Sequence, residues 1–227
     1  NGVLCMESGF IQRNKKKTLT SGKVNNLDID CEELNIRGAV AVHQEVDLRT
    51  ISTHGHSSFH SLVKANILRN TGVCTIKDFC EIVELSNAGQ LKIRHGKITK
   101  INSSGKLIIE QTLQAKQFNG IGVVKANEIQ SEQFYLKLSG KSEIEQLIAD
   151  EICIEKDKFS ISLLNHKKLV SKNITGKQLQ LSYTTAEMVK GDVVVIGDQC
   201  NIHTLYYTES YSISPKATVQ HIRSDVQ

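Results

Sequence analysis

Apolar and polar residues alternate along most of this chain, and the alternation restarts at a nearly fixed interval. Glycines stand at 22, 38, 55, 72, 89, 105, 122 and 140, separated by 16, 17, 17, 17, 16, 17 and 18 residues. Four residues after each come Asn26, Val42, Phe59, Ile76, Ile93, Ile109, Ala126 and Ile144, all apolar except the first. Two residues after the glycine the pattern is again mostly apolar (Val24, Val40, Cys74, Leu91, Leu107, Val124), and the position between is mostly polar (Asn25, Ser58, Thr75, Lys92, Lys125, Glu143). A period of two locked to a longer period predicts a short strand after every glycine. A further ladder, twelve or thirteen residues after each glycine, runs Leu34, Ile51, Leu68, Leu85, Ile101, Phe118, Phe134 and Ile152. Each repeat therefore holds two or three short strands divided by turns, with glycine expected at a corner that needs positive φ.

One such repeat cannot bury its inward residues alone, so repeats stack at the strand spacing of roughly 4.8 Å and pair in parallel register. Steps of 16 to 18, without an apolar residue at every sixth place, argue against the left-handed hexapeptide coil. The predicted fold is all-β: a single-stranded right-handed parallel β-helix, or β-solenoid, with coils of about 17 residues. Residues 1–18 read as an N-terminal cap and 19–227 as the rod, with regular coils over 19–154 and less regular ones over 155–227. In the latter part Asn165 to Lys172 interrupts the alternation with a basic stretch. Val193–Ile196, Ile202–Tyr206, Tyr211–Ile213 and Val219–Ile222 then return as short strands, expected to be further coils of the same rod.

Composition fits a core of thin aliphatic layers: one proline, no tryptophan and 5% aromatic residues. The 28 basic and 24 acidic residues are spread through the chain, and a net charge of +4 is too weak to imply nucleic acid as a partner. No apolar run is long enough for a spanning helix, and the start of the chain lacks the apolar stretch of a signal peptide. Six dispersed cysteines without a C-x-x-C pair, several in apolar slots, point to a reducing, cytoplasmic setting.

Candidate chemistry is sparse. Gly140-Lys141-Ser142 ends like a phosphate-binding loop, but Tyr135 occupies the place of the required upstream glycine, and similar triplets recur at 21–23, 104–106 and 175–177. It reads as a coil corner. His54, His56 and His60 lie close together, with no Cys or carboxylate to complete a zinc set, and are expected to face solvent. Asp28 and Asp30 are the only close aspartate pair inside the repeats and are expected outward on one strand of an early coil. No catalytic residue, cofactor or metal is therefore assigned, and the chain reads as a scaffold rather than an enzyme. The run Arg13, Lys15, Lys16, Lys17 is a candidate contact for an anionic membrane surface. Asn102-Ser-Ser and Asn173-Ile-Thr match the glycosylation sequon by chance.

Together with the glycine ladder, "SGKVNNLDIDCEELNI" and "KGDVVVIGDQCNIHTLYYTESYSISPKATVQHI" make Ser21 to Gln227 resemble the bactofilin-type, polymer-forming cytoskeletal proteins of Gram-positive bacteria. The resemblance implies a right-handed β-helix that assembles end to end without a nucleotide. The chain departs from the usual member in its long rod and ragged middle coils, where Arg94 and His95 lead into Gly96, a second glycine in one coil. Three of the five tyrosines, Tyr206, Tyr207 and Tyr211, lie beside Ile213 near the expected last coil. Large amphipathic rings at an open strand edge make a contact surface, so self-association is expected through these four residues, with the chain itself as partner. The alternative is a carbohydrate-binding or polysaccharide-active β-helix, which would need long loops bulging from one face to build a groove.

Overall fold

The computed structural model describes residues 15–158 and 167–225. Among them there is no helix. The strands are β1 (Lys16–Val24), β2 (Glu33–Val42), β3 (Val46–Thr53), β4 (His56–Phe59), β5 (Val63–Asn70), β6 (Val73–Asn87), β7 (Gln90–Ser103), β8 (Lys106–Leu138), β9 (Lys141–Lys156), β10 (Lys168–Leu181), β11 (Thr184–Ile196), β12 (Asn201–Ile213) and β13 (Thr218–Ser224). Every pairing between them is parallel, each strand bonding to the one a coil later. The chain is a β-solenoid of about 12 turns with about 17 residues between them.

Each coil contributes three strand segments, and each segment stacks on its counterpart to make a face. Face one stacks Ala39–Val42, His56–Phe59 and Val73–Ile76. Face two stacks Val46–Leu48, Val63–Ala65 and Cys80–Ile82. Face three stacks Glu33–Ile36, Thr50–Thr53, Ile67–Asn70 and Glu84–Asn87. The eight-residue ladder from Leu34 to Ile152 is buried throughout and lines face three from inside. The face-one ladder from Val42 to Ile144 is likewise buried, while Asn26 is exposed in the connection after β1. Phe118 and Phe134 stack within this core, their ring centroids 4.5 Å apart. Parallel stacking places like residues over one another, so the aliphatic layers repeat coil after coil and bury apolar surface along the whole axis.

The corner glycines correct the sequence reading. Among the glycines of the described residues only Gly22 has a positive φ, of 108°. It pairs with Val40 in mid-strand, and a Cβ there would meet nothing. The true corner column runs from Thr20 through Gly38, Gly55, Gly72, Gly89 and Gly105 to Gly122, and a Cβ on any of the six glycines would overlap a backbone carbonyl of the coil beneath. Glycine is needed there for close approach of backbones, not for an unusual dihedral. Gly96 has the same cause: its missing side chain leaves room for Cys80, whose carbonyl oxygen would lie 2.5 Å from an added Cβ.

Beside that column a buried polar ladder joins four coils. Thr53 Oγ1 donates to Asn70 Oδ1 (2.7 Å), Asn70 Nδ2 to Asn87 Oδ1 (2.8 Å), and Asn87 Nδ2 to Ser103 Oγ (3.0 Å). The two amides also donate to the carbonyls of Gln90 (3.0 Å) and Lys106 (3.2 Å). Polar groups taken out of water are thereby satisfied, and each amide fixes the height of the next coil.

The less regular C-terminal part is the same rod. Lys168 pairs with Lys141, a longer step than elsewhere, and then β10 to β13 continue in register. The basic residues Lys168 and Lys172 are thus part of β10 and not an interruption; the surplus lies between Asp157 and Lys167, whose Nζ donates to the Asp157 carbonyl at 3.0 Å. Strand β1 starts at Lys16, inside the stretch read as a cap; residues 1–14 lie outside the described residues.

Candidate functional site

The end of the rod is built by β12 and β13. In β11 the side chains of Val189, Val194 and Ile196 are buried, and their partners one coil up are Leu205, Tyr211 and Ile213. Alternation then puts Tyr207, above Gly191, on the inward side as well, and Tyr206, above Lys190, on the outer side. The rings of Tyr207 and Tyr211 meet with centroids 4.6 Å apart at 55°, closing the top of the core. Strand β13 covers only part of this coil: Val219 lies over Ile202 and Ile222 over Leu205. Among the described residues no strand covers Ser210–Ile213 or β13 itself. As a result Tyr211 and Ile222, at core-facing positions, are each 42% exposed. The four residues singled out from sequence thus share the last full coil, but three face the core end and Tyr206 faces outward.

Polar contacts hold this coil in place. Thr208 Oγ1 donates to Asp192 Oδ1 (2.7 Å), Lys190 Nζ bonds Asp225 Oδ2 (2.5 Å), and the Asp225 amide donates to the Tyr207 carbonyl (2.8 Å). Asp198 accepts from Ser214 Oγ (2.6 Å) and Lys216 Nζ (3.1 Å). Those two donors hold its carboxyl below the usual range, the serine hydroxyl foremost. The terminal edge is therefore ordered backbone with free hydrogen-bonding groups and an apolar centre.

The other sequence candidates fall elsewhere. Arg13 lies outside the described residues, while Lys15 bonds Glu32 (2.5 Å) and Lys17 bonds Asp28 (3.2 Å), so two of the four cations are already paired. Asp28 and Asp30 sit in the connection between β1 and β2 rather than on a strand. Ser142, of the Gly-Lys-Ser triplet, is buried and accepts from the Val124 amide at 3.0 Å, a coil-to-coil bond that leaves its hydroxyl turned away from solvent. His54 and His56 are exposed; His54 bonds Thr71 Oγ1 (2.8 Å), and His60 bonds Ser58 Oγ (3.1 Å) and stacks on His43 at 4.2 Å. Among the described residues no three His, Cys, Asp or Glu side chains cluster as metal ligands would. Cys74, Cys80 and Cys200 are buried in the core; burial pushes the thiols of Cys74 and Cys200 up to about 11 and that of Cys80 up to about 12.

Two grooves, neither evident from sequence, follow the rod's outer surface. One, of about 700 Å³, runs along face one, with the ion pairs Lys125–Glu143 and Glu145–Lys172, both 3.3 Å, along its walls. The other, of about 450 Å³, lies on face three over Asn102, Asn119 and Tyr135. There Tyr135 donates its hydroxyl to Glu151 (2.9 Å), which raises its pKa. Both are lined by residues from several coils, a column property invisible in any single repeat.

No family model matches the chain, and no solved structure matches it. Over 96 residues it is 29% identical to the uncharacterized protein YhbE of Bacillus subtilis (strain 168), a match covering 40% of this chain and 40% of that protein. Among the described residues no helix is long and apolar enough to cross a membrane.

Proposed function

We propose that this chain is a non-catalytic scaffold of the bactofilin type, a rod that associates end to end with its own copies through the C-terminal coil and without a nucleotide. The observation that carries this is the open last coil, where Tyr211 and Ile222 stand at core positions with no strand of the described residues stacked above them. A second rod placed there would bury their apolar faces and pair the free strand edge. The outer surface supports the non-catalytic part of the reading, because carboxylates along it are engaged by lysines of neighbouring coils. The free thiols Cys31, Cys74, Cys80, Cys153 and Cys200 suit a reducing cytoplasm.

Sedimentation velocity of the intact chain and of Tyr211→Arg tests the proposal. The intact chain is expected as a dimer or larger, and the arginine, which puts a charge at the apolar centre of the contact, is expected to return it to monomer with an unchanged strand spectrum. An intact chain that stays monomeric at high concentration and low salt overturns the reading.

A further inference from the structure

At several places along the rod, residues in neighbouring coils pair opposite charges. Lys64 bonds Glu81 (3.8 Å), Lys125 bonds Glu143 (3.3 Å), Lys137 bonds Glu155 (3.2 Å), Glu145 bonds Lys172 (3.3 Å) and Asp150 bonds Lys177 (3.0 Å). One column is instead basic over four successive coils. The residues that follow Val42, Phe59, Ile76 and Ile93, which are in register, are His43, His60, Lys77 and Arg94. They form a line of bases, one per coil, and Lys23, in register with Ala41 of the next column, lies beside its first coil. Among the described residues Lys23, Lys77 and Arg94 make no ion pair. The two imidazoles stack at 4.2 Å. The charged neighbours acting on His60 are Lys77, His43 and Lys23, all bases; with burial as the larger cause they hold its pKa below the ordinary value.

The other titratable groups near the line do not neutralise it. Glu110, next in the column above Arg94, is engaged by Lys92 at 2.5 Å and ends the strip. Asp78, beside Lys77 at the register shift within β6, is exposed and accepts from the Phe79 amide at 2.8 Å; Glu45 is exposed in the connection after His43. Like charges stacked on adjacent strands destabilise a sheet, so this column costs stability that a bound anion would restore.

We propose that the strip from His43 to Arg94, with Lys23 beside its start, is a binding track for a linear polyanion, a phosphate-bearing chain laid along the rod, whose grip tightens as pH falls through the histidine range. The bases recur at the coil spacing of roughly 4.8 Å, and from His43 to Arg94 they cover roughly 14 Å. On one side of the line stand the short, uncharged Ala41, Ser58 and Thr75, on the other Gln44 and Ser61. Between Lys23 and Lys92, which flank its two ends, the cationic surface is thus one side chain wide, which fits a chain rather than a bilayer. Among the described residues no Phe, Tyr or Trp ring along it is fully exposed to stack nucleobases, the half-buried Phe79 being packed against His95, which favours a phosphate chain without bases.

The test uses the intact chain and short-chain inorganic polyphosphate, with binding measured at about pH 7.5 and about pH 5.5, either side of the ordinary histidine pKa. Binding is expected to be several-fold tighter at the lower pH. The double change Lys77→Glu and Arg94→Glu, on exposed side chains, is expected to weaken it about tenfold or more, the scale of surface charge contacts. His43→Gln with His60→Gln is expected to leave binding at the higher pH and remove the pH dependence. On wild type, the His60 titration followed by NMR is expected to move to higher pH when polyphosphate is added. Absent binding, binding indifferent to the glutamate changes, an unmoved His60 titration, or preference for phosphatidylglycerol vesicles or a single-stranded oligonucleotide would each overturn the proposal.

Discussion

At Gly72 an added methyl group would collide with the backbone of Gly55 in the coil beneath, whereas at Gly22 it would meet nothing but would demand a φ of 108°. The two positions look alike in sequence and separate two physical causes. At Gly22, alanine is expected to cost about 1 to 3 kcal/mol from backbone conformation alone. Gly72→Ala is expected to cost more than about 3 kcal/mol, because overpacking usually costs less only where a side chain can move aside, and here the obstacle is main chain. Denaturant midpoints of the two variants give the comparison, and a costlier change at Gly22 would return the glycine column to a conformational role. The sequence reading assigned every corner glycine to positive φ because a spacing rule shows that glycine recurs, not what lies under it.

Among the elements, faces one and three were legible and face two was not. The inward ladders from Val42 to Ile144 and from Leu34 to Ile152 are, apart from Ala126, large aliphatic or aromatic residues at a distance from a glycine that varies by no more than one residue. Face two instead mixes Val63 and Leu113 with Ala65, Ala149, Gly96, Gly176 and Gly191, and small residues carry no period-two signal. The asparagine ladder escaped for a related reason: Thr53, Asn70, Asn87 and Ser103 look like turn residues, and only stacking makes them a buried chain. Replacing Asn87 by alanine would strip partners from Asn70, from Ser103 and from the Lys106 carbonyl at once. The expected loss is about 1 to 3 kcal/mol, the cost of leaving buried polar groups unmade. Asn102, one position on the outside of the next coil, is exposed, and its alanine variant is expected to stay within about 0.5 kcal/mol of wild type. Equal midpoints for the two variants would mean that the ladder contributes nothing to register.

For the molecule as a whole, each coil touches only the coils above and below, so stability is close to a sum of coil terms and neighbour terms, and the end coils lack one neighbour. Amide exchange should therefore be slowest in β6 to β9 and quicken toward β1 and β13 in the dilute chain. That Tyr207 and Tyr211 lie near the last coil was readable, but their inward orientation was not, since that depends on which partner in β11 is buried. That orientation decides where association would leave its mark. If copies meet through the C-terminal coil, raising the concentration should slow exchange at Ser210–Ile213 and in β13, the segments with no strand above them, while β6 to β9 are unchanged. Growth into filaments by head-to-tail contact would add protection at β1 as well, because a heterologous contact uses both ends, whereas an isologous dimer uses one. Protection that stayed constant at both ends while sedimentation reported larger species would place the contact on the side of the rod and overturn the end-to-end arrangement.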